Sequence, residues 1–234
     1  MKTTKFLLGM LLMAFFLVGC DDEMPDYYAS KSYDLENFNA VELGDALQVR
    51  IVRGTRFSVV ARGEQPDLDD LELRVEDGVL TGNYRNGSAS HKRTKLEISM
   101  PQIYSAVFEA ATDASISGFT APGSPFFLKA SGASAILMSG NFEELELRVE
   151  GASEIALKGQ VDVMDAVVSG ASRLYARELT ASEASVDIGG ASEADLYVTG
   201  RLEGSVQGSS LLRYLGDPEV LDVFVANDSR IIKF

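Results

Sequence analysis

Cysteine, histidine and tryptophan are nearly absent from this chain of 234 residues, which contains one, one and none of them. With Cys20 as the single cysteine, no internal disulfide can form. One cysteine and one histidine, His91, provide no cluster of nitrogen and sulfur ligands, so we predict no metal site. No glycine-rich loop follows a strand and opens a helix, so we predict no nucleotide site and no cofactor.

Basic residues are also scarce, because 21 lysines and arginines stand against 35 aspartates and glutamates and leave a net charge of −14. Such an acidic surface repels phosphate backbones, which argues against nucleic acid as a partner. The lack of tryptophan removes the best platform for stacking sugars, although eight tyrosines could replace it. The apolar content of 46% is that of a globular chain with a core.

The chain shows no helical period sustained over three turns, and its apolar residues alternate with polar ones, which predicts an all-β protein. The clearest unit is 145–159 (LELRVEGASEIALKG), which predicts a strand, a tight turn, a second strand and a closing glycine. Its turn glycine recurs at spacings of 19, 19, 20 and 18 residues, at Gly132, Gly151, Gly170, Gly190 and Gly208. Weaker copies lie at Ala110 and Asn227. This repetition predicts a parallel β-solenoid with coils of about 19 residues, with three sides preferred and two possible.

The glycine and serine of each turn have structural interpretations. The glycine turns a corner that needs a positive φ or has no room for a Cβ, and we place it on the inward side with the alternating apolar residues. The serines predict a buried ladder of hydroxyls, each bonded to its neighbour or to a corner carbonyl; they are Ser134, Ser153, Ser172, Ser192 and Ser210, flanked by Thr112 and Ser229. A nucleophilic role for Ser153 would need a partner histidine, and a single catalytic site would not need the same serine in every coil. A calcium repeat would need aspartates that the turn lacks.

The N-terminus predicts a processed signal. Residues 1–19 combine a short basic start with an apolar run too short to span a membrane stably, and end in Leu-Val-Gly before Cys20. This ending resembles a bacterial lipobox, which implies lipid attachment at Cys20 and a membrane anchor; an ordinary signal is the alternative. Residues 20–32 predict a tether. Its acidic run 21–23 is either a solvated spacer or resembles the tether of surface-exposed Bacteroidetes lipoproteins, so we expect an outer-membrane protein that faces the surface or the periplasm.

A single domain is predicted for 33–234, with an irregular N-terminal part (33–100) and regular coils (101–234). The hexapeptide LELRVE occurs at 71–76 and 145–150, which puts Asp77 in the register of Gly151. Residues 83–95 exceed the coil length, contain an Asn-Gly turn signal and predict a protruding loop. This loop holds the one basic cluster, Arg85, His91, Lys92 and Arg93, which is either a ligand or partner loop or a solvated loop that balances nearby acid.

Four N-terminal stretches and the coils that follow them resemble a known family. The stretches are 38–44 (FNAVELG), 48–54 (QVRIVRG), 71–75 (LELRV) and 77–80 (DGVL). Together with the Gly-Ala-Ser coils they resemble the DUF2807 family, described as adhesin head (GIN) domains, over about 33–234. The resemblance implies a right-handed solenoid and suggests adhesion. It brings no catalytic residues, because the family offers none to transfer.

Three functions remain open on these grounds. The first is a non-catalytic envelope protein that binds an unknown protein or glycan through one face of the solenoid. The second is a carbohydrate-active lyase or hydrolase, which needs two separated carboxylates in a groove. The third is a purely structural role. Outward Glu154, Arg173 and Glu193 fit a charged face with cross-coil pairing, or the groove of an enzyme. We expect function where coils depart from the repeat, including the stretch 119–125.

The C-terminal end of the solenoid is predicted to be an open edge. No helix follows 231–234 to cover the last coil. Arg230 and Lys233 can discourage edge pairing, or the edge can join two copies into a homo-oligomer.

Overall fold

The computed structural model describes residues 29–87 and 90–234, without the side chains of 121–124. The predicted signal 1–19, Cys20 and the acidic run 21–23 lie outside the described residues. Among those described, no helix has the length and apolar character needed to cross a bilayer.

One helix and sixteen strands make up the described chain. In order they are β1 (Ala29–Tyr33), β2 (Ala40–Leu43), β3 (Gln48–Arg53), β4 (Ser58–Gly63), α1 (Gln65–Asp70), β5 (Leu71–Glu76), β6 (Val79–Tyr84), β7 (Lys95–Met100), β8 (Ser105–Phe108), β9 (Asp113–Ala130), β10 (Ala135–Val149), β11 (Glu154–Val168), β12 (Arg173–Ile188), β13 (Glu193–Val206), β14 (Leu211–Leu215), β15 (Val220–Val225) and β16 (Arg230–Lys233). All strands belong to one sheet, in which β9 to β13 pair in parallel with their sequence neighbours. The predicted parallel β-solenoid is confirmed, with about 7 turns and coils of about 19 residues.

Burial alternates along each coil and changes phase at the corners. In β10 the inward side chains are Ile136 and Met138, then Phe142, then Leu145, Leu147 and Val149. Two consecutive outward residues, or a glycine, separate these groups, and each break marks a bend of the chain around the core. A coil therefore has three sides, of which the middle one is the shortest. We call the part that begins β10 to β13, such as 135–139, the first side.

From Gly151 onward, each corner glycine stacks on the corner glycine of the preceding coil, whereas Gly132 stacks on Ala110. Gly151 has φ +78°, and a Cβ placed on it would lie 2.6 Å from the carbonyl oxygen of Gly132. That oxygen accepts the backbone N–H of Ala152 at 2.8 Å. The expected inward position of this glycine is wrong, because Gly151 is exposed. The crowding comes from the neighbouring backbone along the stack, not from the core.

The serine of each corner is buried and joins two coils. The backbone N–H of Ser134 donates to Ser153 Oγ at 3.2 Å, and Ser153, Ser172, Ser192 and Ser210 repeat this bond to the next serine at 3.2–3.4 Å. Thr112 enters the ladder by donating its N–H to Ser134 Oγ, and Ser134 Oγ donates to the carbonyl of Ser131 at 2.9 Å. The hydroxyls thus bond the corner backbone, which offsets the cost of burying them.

The irregular N-terminal part differs from the expected register. The two LELRVE copies are not equivalent, because 71–76 forms β5 and pairs antiparallel with β6. Asp77 and Gly78 have φ of 49° and 79° and connect the two strands as a tight hairpin turn. The corner beneath Ala110 is formed by Asp45 and Ala46 instead, where the Ala46 N–H donates to the Ala110 carbonyl at 2.9 Å. Alternation in a hexapeptide suits parallel and antiparallel pairing equally, so the turn residues decide the pairing.

The two ends of the solenoid differ. Antiparallel β4 and β1 extend the sheet beyond β7, and antiparallel β5 extends it beyond β6. The single turn and a half of α1 was not predicted, because six residues are too short to show a helical period. β1 begins at Ala29, inside the segment predicted as linker.

At the C-terminal end, β15 pairs only with β13, and β16 pairs only with β14, among the described residues. The alternation of the sequence would place Leu221 and Val225 inward, but both are exposed, because no further described coil lies over them. Five of the seven exposed large apolar side chains of the described chain are in this coil, namely Leu221, Phe224, Val225, Ile232 and Phe234. Self-association through this end stays a prediction.

We expect Gly190→Ala to lower the free energy of unfolding by at least about 2 kcal/mol. The alanine would have to adopt the left-handed backbone of Gly190, and its Cβ would press on the carbonyl oxygen of Gly170. A methyl group on the neighbouring Gly189 would meet no atom within 4 Å, and the φ of Gly189 is not positive. Gly189→Ala is therefore the matched control and should change stability by less than about 0.5 kcal/mol. Urea unfolding of both variants measures the difference; equal losses would contradict the stacking explanation.

Candidate functional site

On the first side, outward residues of successive coils stand in rows, and one row runs along the middle of this side. These residues align as Ser115, Leu137, Ala156, Tyr175, Asp195 and Arg213. Small, apolar and charged side chains alternate in this row, so the surface is uneven and the coils are not interchangeable here.

The repeat breaks at the first side of β12. Ala176 pairs with Leu196, but the next pair is Thr180 with Tyr197, so three residues of β12 have no register partner in β13. They are Arg177, Glu178 and Leu179. The coil from Gly170 to Gly190 is the one with 20 residues and the next has 18. The unequal spacing in the sequence therefore reports a bulge, and a bulge redirects side chains and often lies next to a site.

Asp195 lies beneath this bulge between two arginines. Its side chain is only 5% exposed. The Arg213 Nε donates to Asp195 Oδ1 at 2.5 Å, and the Arg177 Nε lies 2.9 Å from Asp195 Oδ2. Arg213 also donates from Nη2 to Glu193 at 3.0 Å. The hydrogen bond to Asp195 raises the pKa of the Arg213 guanidinium, against the opposing effect of burial.

The ring of Phe234 covers the Arg177 guanidinium, with 3.8 Å from the ring centroid to the guanidinium carbon. This cation–π contact brings a residue that follows β16 onto a side chain of β12. Together, Arg177, Asp195, Arg213 and Phe234 join four successive coils on the outer surface.

A depression of about 310 Å³ opens beside this cluster. We call it the recess; its lining residues are Ala156, Leu157, Lys158, Tyr175, Arg177, Glu178 and Asp195. A second depression of about 300 Å³ shares Ala156 and continues along the axis past Leu137 and Ser115 to Gln48. The two form a groove over β3 and β9 to β13, which is about 24 Å long at the usual strand spacing of about 4.8 Å.

The predicted outward charges flank this groove. Glu154, Arg173 and Glu193 occupy the same register on successive coils. Glu154 also lines the second depression. Glu193 is half-buried and pairs with Arg213, with 3.0 Å between the Arg213 Nη2 and the Glu193 Oε2. The cross-coil pairing of this face therefore involves Arg213, which the sequence analysis did not identify.

The predicted basic loop lies against α1 instead of protruding. His91 stacks on Tyr84 with ring centroids 3.7 Å apart, and its Nε2 lies 2.8 Å from Asp70 Oδ2. This hydrogen bond lowers the pKa of the Asp70 carboxyl. Arg85 donates to the carbonyl of Asp69. The loop is therefore tied to the helix that follows β4.

Two further cations of this loop face carboxylates. The backbone N–H of Lys92 donates to the Oδ2 of buried Asp67 at 3.0 Å, and the side-chain ammonium of Lys92 pairs with Glu64. Arg93 binds Asp113 at 2.6 Å. Because Asp113 lines the second depression, the loop meets the coils at the N-terminal end of the groove, but its cations do not reach the recess.

The stretch 119–125 contains another break in the repeat. Phe142 pairs with Ala121 and Glu144 with Pro125, so β9 carries extra residues at this corner. Phe119 is buried. This excursion lies at the short middle side of the coil and does not contribute to the groove.

The remaining candidate groups have structural partners. The described residues contain no group of three or more histidine, cysteine, aspartate or glutamate side chains able to hold a metal ion. The ladder serines, including Ser153, are buried and hydrogen-bonded to backbone. Asp195 has a guanidinium on each oxygen, so it acts as a charge partner that orients the arginines.

Sequence reasoning missed Asp195, Arg177 and Arg213. The alternation assigned Asp195 to the outward set, which usually means solvent, and its burial arises from arginines on the coils before and after it. The available signal was the change of spacing from 20 to 18 residues around Gly190, together with the charged residues that follow.

A family model described as "Putative auto-transporter adhesin, head GIN domain" matches residues 37–218. A crystal structure of a "putative adhesin" from Bacteroides fragilis superimposes with TM-score 0.83 at 16% identity and covers 88% of this chain and 96% of that one. A "putative adhesin" from Parabacteroides merdae gives TM-score 0.68 at 14% identity, with coverage of 88% and 95%. A "putative lipid binding protein" from Parabacteroides distasonis gives 0.67 at 17%, with coverage of 88% and 96%. These likenesses show a shared fold. No curated protein matches the sequence.

Asp195→Asn should lower the free energy of unfolding by about 1–3 kcal/mol, because it leaves two partly exposed arginines without their shared carboxylate. The control is Asp165→Asn, an exposed aspartate of β11 on another side, for which we expect a change within about 0.5 kcal/mol. Thermal and urea unfolding followed by circular dichroism measure both. A loss at Asp195 no larger than that of the control would mean that the cluster does not join the coils.

Proposed function

The chain belongs to the DUF2807 family of adhesin head domains, and from this we propose that it is a non-catalytic, adhesin-like envelope protein that binds its ligand in the groove on the first side of the solenoid. The observation that carries the proposal is the recess. At the recess, a break in the coil repeat, a carboxylate buried between two arginines and an open cavity coincide.

Physical arguments favour this surface over the other sides. Each coil is hydrogen-bonded to its neighbours along its length, so the groove is held in shape before any ligand arrives, and a preformed site loses little entropy on binding. The recess is bounded by side chains that already hold one another in place through Arg177, Asp195 and Arg213. A regular charged face would not need a buried carboxylate, which costs free energy to desolvate.

Binding is favoured over hydrolysis or lysis by the state of the carboxylates at the recess. Acid–base catalysis on sugars needs two carboxylates free to exchange protons with substrate. Asp195 is shielded by two guanidinium groups, which leaves Glu178 as the one solvent-exposed carboxylate among the lining residues of the recess. The same residues suit a site that recognises and holds a charged ligand.

The position of the domain in the cell is part of the proposal. Lipidation of Cys20 would anchor the mature chain in a membrane, and the tether 20–28 would separate the lipid from β1, which begins at Ala29. Two or three acyl chains hold a protein stably, at about 0.8 kcal/mol for each buried CH₂. A rigid solenoid on such a tether presents the groove away from the bilayer.

The binding proposal predicts saturable attachment without turnover. We expect the protein displayed on cells to bind at least one member of a panel of immobilised polysaccharides and surface proteins, with the panel member chemically unchanged. Tyr175→Ala should weaken this binding at least about tenfold, since stacking and hydrogen bonds in the recess are lost. Arg148→Gln, on the third side, should leave it unchanged. Release of polysaccharide fragments that stops on substitution of one acidic residue would replace this proposal with an enzyme.

The anchor proposal predicts that Cys20→Ser abolishes lipid labelling. Wild-type cells fed an alkyne analogue of palmitate should label the protein and retain it in the membrane fraction, whereas the variant should be unlabelled and remain at the size of its precursor. Since residue 20 precedes the solenoid, the variant should keep the wild-type circular dichroism spectrum. Equal labelling of both proteins would place the lipid on another residue, and labelling of neither would show that the protein carries no lipid.

A further inference from the structure

We propose that the recess binds the carboxylate of an acidic sugar unit, so that the ligand is a glycan that carries uronic acids or related carboxylated sugars. This inference rests on the proposed function and assigns it a ligand class. It is argued from the arrangement of Arg177, Lys158 and Tyr175 in a cavity of about 310 Å³.

The Arg177 guanidinium is held in position before a ligand arrives. Its Nε lies 2.9 Å from Asp195 Oδ2, and the Phe234 ring lies over its plane at 3.8 Å. The side chain remains 42% exposed and lines the recess. A fixed guanidinium presents parallel N–H groups to a planar anion, which is the geometry that a carboxylate accepts in bidentate fashion.

Lys158 supplies a second cation on the preceding coil. Its Nζ pairs with Glu178 at 2.9 Å, and both side chains are about half or more exposed. An exposed pair of this kind contributes little free energy, about 0–1 kcal/mol, so a ligand carboxylate can replace Glu178 at low cost. Arg177 and Lys158 thus offer two cations to one anion on an otherwise acidic protein.

The remaining walls suit a sugar ring rather than a simple inorganic anion. Ala156 is apolar, and half-buried Tyr175 adds an aromatic ring with a hydroxyl. Aromatic side chains of this kind can pack against the apolar face of a sugar while the hydroxyl exchanges hydrogen bonds. The cavity volume lies at the lower end for small-molecule sites, which corresponds to one ring or two.

The continuation of the groove explains how a polymer could bind without entering a deep cavity. From the recess it passes Ala156, Leu137 and Ser115 on an open surface, where Ala156 and Ser115 are short and Leu137 offers an exposed apolar side chain. Contacts repeated along about 24 Å would add affinity to a single weak carboxylate site. The net charge of −14 repels anions in general, so selection must come from the local cations and should weaken as salt screens them.

The test measures binding of unsulfated hyaluronan oligosaccharides, in which every second sugar carries a carboxylate, to the full-length protein by isothermal titration calorimetry. We expect saturable binding, at least tenfold weaker for the same oligosaccharides with methyl-esterified carboxylates. Arg177→Gln should weaken binding at least tenfold, and Arg177→Lys should retain an intermediate affinity because it keeps the charge but loses the fork. Arg148→Gln should bind like the wild type.

Equal affinity for the acid and the ester, or wild-type affinity in Arg177→Gln, would overturn the inference. So would an absence of binding to carboxylated glycans while the displayed protein still binds other members of the surface panel in a Tyr175-dependent way; that result would leave the proposed function standing. Loss of all panel binding in the wild type would remove both. Arg177→Gln also removes the pair with Asp195 and the contact with Phe234, so we expect it to unfold at a lower temperature than the wild type. Binding is therefore measured well below that temperature, on variants whose circular dichroism spectra match the wild type, which separates a binding defect from misfolding.

Discussion

Backbone stacking at the corners is the constraint on which the rest of the structure depends. Between Gly132 and Gly208, the close register of successive coils requires that the chain turn at each corner without a side chain between the two backbones. Gly151 meets this requirement with φ +78° and close approach to Gly132. The N–H of Ala152 then reaches the Gly132 carbonyl at 2.8 Å. Once the corners are stacked, the strands on all three sides pair in parallel, and the serines and apolar residues are directed inward.

The same constraint explains why a site can arise without disturbing the scaffold. The corners hold the coils in register, so a residue added on one side must be accommodated locally as a bulge. The coil that begins at Gly170 carries its surplus at 177–179, while the inward residues Leu174 and Ala176 keep their places. The outer surface can therefore vary from coil to coil, whereas the core repeats. A repeat protein gains a ligand site most readily at such an irregularity.

Much of the fold could be read from the sequence, because its periodicities are short. Alternation with period two identified the strands, and the turn glycines identified the coil length. Where the spacing was irregular, prediction failed. The hexapeptide at 71–76 matched that at 145–150 but pairs antiparallel, since Asp77 and Gly78 form a hairpin turn. The basic residues near His91 predicted a protruding loop, whereas Asp70 of α1, a helix too short to recognise, binds His91, and Glu64, directly before α1, binds Lys92. Of the candidate site, only the flanking outward charges such as Glu154 were predicted.

The sequence by itself determined the all-β class, the coil length, the corner glycines and the buried serine ladder, because each follows from neighbours within one coil or from identical positions one period apart. Only the tertiary structure decided that Asp195 is buried, since the arginines around it come from the coils before and after. Arg177 reaches it across a bulge and Arg213 from the next coil, while Phe234, beyond β16, covers Arg177. Contacts between residues of different type on different coils leave no periodic trace in a sequence. They are also the contacts that distinguish the recess from the scaffold around it.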